Sequence, residues 1–191
     1  MDLASLNNNQ RAAVEAVNNP ILIFAGAGSG KTRVLAYKIA YLLDQGIVVP
    51  ENVLAVTFTN KAAGVMRERV TGLIKEKHVS LNIGTFHSIC AKILRNDIKY
   101  LGFTSDFAIY DATDQVALLK VVMADIGVPK NSIMPKTARN RISYYKNKLL
   151  SHKDAMKKAR TIQDRTIVDI YKVSQKPLKE NNALDFEDLL N

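Results

Sequence analysis

The chain has 191 residues, 47% of them hydrophobic and 24% charged, which fits a globular domain with at most a small subdomain and excludes a disordered segment. No apolar run approaches the roughly 18–20 residues of a membrane span, Met1–Ser5 lacks the basic and apolar regions of a signal peptide, and the one cysteine, Cys90, reads as a small core residue of a cytoplasmic protein. The net charge of +9 is uneven: residues 1–125 carry 13 Lys/Arg against 11 Asp/Glu, residues 126–179 carry 14 against 3, and residues 180–191 carry none against 4. Such a basic segment suits a polyanion, most often nucleic acid, or else is a solvated helical face.

Ile21–Ala25 is a short apolar run leading into glycines, the pattern of a buried parallel strand. Thr32–Leu43 follows with helical spacing of Val34, Leu35, Ile39, Leu42 and Leu43. A second strand is predicted over Asn52–Phe58 and a second helix over Asn60–Ile74, with Ala62, Ala63, Met66, Val70, Leu73 and Ile74 inward. Leu81–Phe86 is the third strand and Ser88–Leu101 the third helix; Phe107–Tyr110 and Asp114–Ile126 repeat the pair. This alternation predicts βαβ units and a parallel sheet, an α/β fold.

The pattern changes after Val128. No strand is predicted before Asn182, and helices are expected over Lys136–Leu150, Lys153–Arg160 and Asp164–Lys176, the last ended by Pro177. A boundary near 105–128 therefore precedes an all-helical basic subdomain. In its first helix Ala138, Ile142, Tyr145 and Leu149 fall within about 60°, so Tyr145 belongs to the core. Arg141, Tyr144 and Lys148 share another face, which can hold phosphates and stack on a base, or stay solvated.

Between the first strand and the first helix lies Gly26-Ala27-Gly28-Ser29-Gly30-Lys31-Thr32. Glycines let the backbone turn so that successive N–H groups converge on phosphate oxygens, and the helix N-terminus adds positive potential. Lys31 can reach the β- and γ-phosphates, and the Thr32 hydroxyl can ligate Mg²⁺. The strict pattern has glycine where Ala25 stands, and the relaxed form accepts alanine. Such a loop implies a nucleoside triphosphate without saying what it drives.

Further motifs narrow the choice: Leu6-Asn7-Asn8-Asn9-Gln10 upstream, Thr57-Phe58-Thr59-Asn60-Lys61-Ala62-Ala63 at the second strand–helix junction, Gly84-Thr85-Phe86-His87-Ser88 at the third, and Leu184-Asp185-Phe186-Glu187-Asp188-Leu189 near the end. In this order and spacing they resemble the N-terminal part of superfamily 1 DNA helicases of the UvrD/Rep/PcrA type. The resemblance implies a RecA-like P-loop ATPase subdomain (1A) over residues 1–110, an inserted basic helical subdomain (1B) over 111–182, and a return toward 1A over 183–191. It implies ATP and Mg²⁺ as cofactors. It also implies 3′–5′ movement on single-stranded DNA, duplex unwinding, and a cytoplasmic, nucleoid-associated enzyme of repair or replication. Single-stranded DNA and single-strand/duplex junctions are its expected partners, together with repair or replication proteins.

The resemblance also assigns residues. Gln10 reads adenine, a task its amide suits, although without the resemblance a polar position on an amphipathic helix is the favoured reading. Arg33 packs on the adenine, or is a surface charge. With Ala25, Gly26, Ala27, Gly28, Ser29, Gly30, Lys31 and Thr32 they make up the expected nucleotide site. Phe58, Thr59, Asn60 and Lys61, with Thr85, Phe86 and His87, are expected to contact DNA at the C-terminal edge of the sheet; the plain alternative is a capped core helix with Phe58 buried. Neither His78 nor His152 stands at metal-ligand spacing from His87. Gly64-Val65 departs from the charged, polar pair usual in the family, and Gly64 should weaken its helix by about 1 kcal/mol relative to alanine.

An NTP motor also needs an apolar strand ending in Asp-Glu. Phe107–Asp111 is followed by Ala112, and no apolar strand is predicted before Asp185, Glu187 and Asp188. The sequence thus reads as an N-terminal fragment, inactive by itself, of a longer helicase. A helicase subunit of a helicase–nuclease, or a non-catalytic nucleic-acid-binding P-loop module, remain alternatives.

Overall fold

The computed structural model describes residues 1–74 and 80–191, which leaves His78 outside the described residues. The chain divides into two compact units, Met1–Ile89 and Cys90–Asn191, the division falling along the helix Phe86–Asp97. Both mix helices with a small parallel sheet.

In the first unit α1 (Asn8–Glu15) opens with a capping box, in which the Asn7 side chain accepts from the Gln10 N–H and the Gln10 side chain accepts from the Asn7 N–H. Next come α2 (Lys31–Asp44), β1 (Leu54–Thr57), α3 (Asn60–Leu73), β2 (Asn82–Thr85) and α4 (Phe86–Asp97). β1 and β2 pair in parallel with Thr57 opposite Thr85. Their crossover helix packs on α2 through Ala36, Ile39, Ala63, Met66 and Val70, joined by Ile83 from the sheet. A second cluster of Leu3, Leu6, Val14 and Val34 fixes α1 against α2.

The predicted strand Ile21–Ala25 is not a strand. A strand exists only through pairing, and no described segment pairs with this one. Leu22 and Phe24 accordingly stand 76% and 88% exposed. The predicted strand start at Asn52 is also corrected, because Pro50–Asn52 forms a 3₁₀ turn with Pro50 at its first position.

The second unit continues through a 3₁₀ turn, Ile98–Leu101, to β3 (Ala108–Tyr110), α5 (Ala112–Asp125), α6 (Pro135–Asn147), α7 (His152–Lys158), α8 (Ile162–Glu180) and β4 (Ala183–Asp185). β4 returns to pair in parallel with β3, Ala108 opposite Ala183. Leu119, Val122, Ala138, Ile142, Tyr145, Val168, Ile170 and Tyr171 form the core between the helices. Cys90 packs, partly buried, on a smaller cluster around Ile98, Phe107, Leu184 and Leu189.

Three further expectations are corrected in this unit. Pro177 lies inside α8, not at its end. It removes one helix N–H at a cost of about 3 kcal/mol, and burial of the Leu178 side chain beyond it returns roughly 1.5–3 kcal/mol. Leu149 is not core but 74% exposed, because α6 stops at Asn147 and Leu149 takes a left-handed φ of 53°. Asp185 does end a short strand, β4, although none was expected before it. Asp111, by contrast, is the N-cap of α5, its carboxylate accepting from the N–H groups of Thr113 and Asp114. No helix among the described residues is long and apolar enough to cross a membrane.

Candidate nucleotide and nucleic-acid site

The loop Gly26–Gly30 leads directly into α2. Gly28 and Gly30 hold φ of 76° and 86°, values open to glycine at little cost. The Lys31 ammonium folds back over the loop and donates to the carbonyls of Ala25 (2.7 Å) and Gly26 (2.6 Å). Ser29 Oγ donates to the same Gly26 carbonyl at 2.7 Å. Thr32 is half-buried as the second residue of α2. An ammonium held, among the described residues, by neutral carbonyls, at a helix N-terminus and beside a hydroxyl, is a donor set suited to a phosphate with Mg²⁺.

Gln10 and Arg33 are brought to this loop. Gln10 Nε2 donates to the Ser29 carbonyl at 3.1 Å, while its Oε1 completes the capping box. These bonds bear out the helical reading of Gln10 and use one N–H and one lone pair of an amide that has two of each. A Cβ on Gly30 would lie 3.1 Å from Gln10 Nε2, so a side chain there would press the amide back by a few tenths of an ångström. Arg33 donates to the Ser5 carbonyl at 3.1 Å and lies 5.5 Å from the centre of the Tyr37 ring. The hydrogen bond with Ser5, reinforced by Arg33, holds the Tyr37 phenol below its usual pKa. A cleft of about 460 Å³ opens beside Gly30 and Arg33, walled by Ala36, Tyr37, Arg69, Gly72 and Leu73.

The second constellation lies at the C-terminal ends of β1 and β2. Thr57 and Thr85 are register partners, so Phe58 and Phe86, one residue on, come together with ring centres 6.0 Å apart and planes tilted by 50°. Phe58 is 92% exposed, which overturns the buried alternative. Thr59 caps α3 by accepting from the Ala62 N–H at 3.2 Å, and Thr85 accepts from the Ser88 N–H at 3.2 Å. The N-termini of α3 and α4 thus leave the same sheet edge, with Asn60 and Lys61 exposed and His87 half-buried. Gly84 lets the first turn of α4 pack close on β2, because a Cβ there would stand 2.5 Å from Ser88 Oγ and 3.2 Å from the Ile89 side chain.

In the second unit Arg141 and Tyr144 form a stacked pair, the guanidinium 5.3 Å from the ring centre. Arg141 also donates to Tyr145 Oη at 3.1 Å and pairs with Asp164 at 3.5 Å. Tyr144 is half exposed, Lys148 is exposed just beyond α6, and Tyr145 is buried as expected. Not all the basic charge of 126–179 faces outward. Lys146 is buried and donates to Asp185 (2.6 Å) and Asp188 (2.7 Å), while Arg139 lies 4.0 Å from Glu187. Burial opposes the Lys146 charge, but the carboxylates of Asp188 and Asp185 outweigh it and hold its pKa above the ordinary value. Burial, with the second carboxylate beside it, pushes Asp185 up despite Lys146. Sequence reasoning missed this cluster. Its available signal was the run of acids at 185–188, in a stretch without Lys or Arg that follows the basic segment 126–179.

Residues 6–191 match the family described as UvrD/REP helicase N-terminal domain. The chain belongs to this family. It is 43% identical over 186 residues to the ATP-dependent DNA helicase PcrA of Staphylococcus epidermidis, with 97% of this chain and 26% of that protein covered. It is also 43% identical over 188 residues to the PcrA of Staphylococcus aureus, with 98% and 26% covered. The chain thus spans 26% of the length of the curated relatives it matches.

Proposed function

We propose that the chain is the N-terminal part of an ATP-dependent DNA helicase. The whole protein would couple ATP hydrolysis to 3′–5′ movement on single-stranded DNA and to duplex unwinding, in repair or replication within the cytoplasm, at the nucleoid. The observation that carries this reading is the occurrence, in one compact unit, of a glycine phosphate loop at the head of α2 and an exposed aromatic pair, Phe58 and Phe86, at adjacent helix N-termini.

In this reading Lys31 exchanges the Ala25 and Gly26 carbonyls for β- and γ-phosphate oxygens, a charge-assisted contact in place of neutral ones. Thr32 holds Mg²⁺, which supplies neutralisation of phosphate charge when bound. Backbone N–H groups of Ala27–Gly30 orient the phosphates, with Ala25 and Gly26 leading the chain into the turn. Gln10 and Arg33 hold the adenine. Single-stranded DNA lies along Phe58–Lys61 and Thr85–His87, bases on the two rings and phosphates at the helix N-termini. Arg141, Tyr144 and Lys148 take the duplex side of a junction.

A RecA-like subdomain over 1–110 and 183–191, interrupted by a helical subdomain over 111–182, is supported by the pairing of β3 with β4 across the helical segment. Repair or replication proteins are the expected further partners. In the complete protein Lys31→Ala should abolish DNA-stimulated ATPase and unwinding while nucleotide-free DNA affinity stays within about threefold, on the order of a surface-charge effect. An equal loss of DNA affinity, with the fold intact by circular dichroism, would refute the assignment of Lys31 to phosphate.

A further inference from the structure

The helix that carries Gln10 has only eight residues, too few to be stable alone, so contacts outside it set its position. Its last turn contains no basic residue. The cation that its carbonyl end favours comes instead from α2. Lys38 Nζ donates to the carbonyls of Ala13 (3.2 Å), Val14 (3.1 Å) and Ala16, three acceptors that the end of α1 otherwise leaves without helix partners.

Lys38 stands seven residues after Lys31, two helical turns on and on the same face of α2. One face of α2 therefore places one ammonium in the phosphate loop and the next at the C-terminus of α1. Gln10, near the other end of α1, returns to the loop through the Ser29 carbonyl. The circuit from loop to α2, across Lys38 to α1, and through Gln10 back to the loop is closed. Secondary ties from Arg33 and Tyr37 to Ser5 fasten the segment just before α1.

We infer that Lys38 is a positioning residue of the nucleotide site, which caps α1 from the neighbouring helix and so holds the Gln10 amide at the distance and angle that select adenine. This rests on the proposed reading of Gln10. Lys38 does not touch the nucleotide and acts only through α1.

The test measures, in the absence of DNA, the affinities of the complete protein for Mg·ATP and Mg·GTP in wild type, Gln10→Ala, Lys38→Met and Lys38→Arg. The wild type should prefer ATP. Lys38→Met should lose at least fivefold of that preference through weaker ATP binding, with GTP within twofold of wild type, and Lys38→Arg should restore it. In the double variant Gln10→Ala/Lys38→Met the preference should fall no further than in Gln10→Ala. Amide hydrogen exchange of Arg11–Ala16 should accelerate at least tenfold in Lys38→Met and remain slow in Lys38→Arg. Should Lys38→Met not fold, Lys38→Gln, which carries an uncharged N–H donor on a stem one bond shorter, is held to the same criteria at threefold. Equal losses for both nucleotides, or an unchanged ratio where Gln10→Ala abolishes it, overturn the role of Lys38 alone. A wild type without preference, or a Gln10→Ala that retains it, overturns the adenine reading of Gln10 and this inference with it.

Discussion

Lys146→Met is the most informative single change in the second unit. The Lys146 side chain is 2% exposed and sits 2.6 Å from Asp185 and 2.7 Å from Asp188, whose side chains are 7% and 22% exposed. Methionine fills the same volume but leaves two neighbouring carboxylates with no cation. Removing one partner of a buried ion pair costs about 3–5 kcal/mol, whereas a surface pair costs about 0–1 kcal/mol. We expect the first figure in urea unfolding followed by far-ultraviolet circular dichroism. Adding Asp185→Asn and Asp188→Asn should recover more than half of the loss, because the amides still accept the mutual backbone N–H bonds (Asp185 N–H to Asp188, 3.1 Å; Asp188 N–H to Asp185, 2.9 Å). The pH dependence has a definite sign. A carboxyl with a raised folded pKa binds its proton more tightly in the fold, so its protonation favours folding. In Lys146→Met the stability deficit should therefore shrink as pH falls from neutral toward the ordinary aspartate value of about 3.9. In the wild type the raised Lys146 pKa keeps its contribution intact at neutral pH, to be lost only as pH climbs beyond about 10.4. A loss below about 1 kcal/mol, or a compensated variant no more stable than the single one, would show that the cluster behaves as surface charge.

Gly64→Ala, in the interior of α3 with nothing within 4 Å of the new Cβ, should stabilise the chain by about 0.5–1 kcal/mol in the same urea assay; a loss would indicate a need for glycine there. Arg141→Ala with Lys148→Ala in the complete protein should weaken binding to a tailed duplex and shallow its log–log salt slope by roughly one to two units. Short single strands should bind as before in fluorescence anisotropy, and an unchanged slope on the tailed duplex would return this face of α6 to a solvated role. The 191-residue chain by itself, whose sequence carries no apolar strand ending in Asp-Glu, should show no ATP turnover above background with single-stranded DNA present; turnover abolished by Lys31→Ala would overturn that expectation.

Local chemistry was enough to place most of the helices and the phosphate loop. The i, i+4 spacing of Ile39 and Leu43, and the spacing of Ala63, Met66 and Val70, locates α2 and α3 because an amphipathic helix records its buried side every turn. Glycines before Lys31 likewise declare their turn within a few residues of chain. Pairing between distant segments is a different matter. Whether Ile21–Ala25 becomes a strand depends on neighbours far away in the chain. So does the meeting of Phe58 with Phe86, which follows from the register of Thr57 with Thr85. Pro177 breaks a local rule and is overruled by the burial of Leu178 just beyond it. Lys146 counted as one more positive charge on a basic helix until the fold set it between Asp185 and Asp188, 39 and 42 residues away. Lys38 and the carbonyls of α1 are likewise separated by up to 25 residues. A charge shows its sign in the sequence, but the partner that desolvates and fixes it is chosen only when the chain closes on itself.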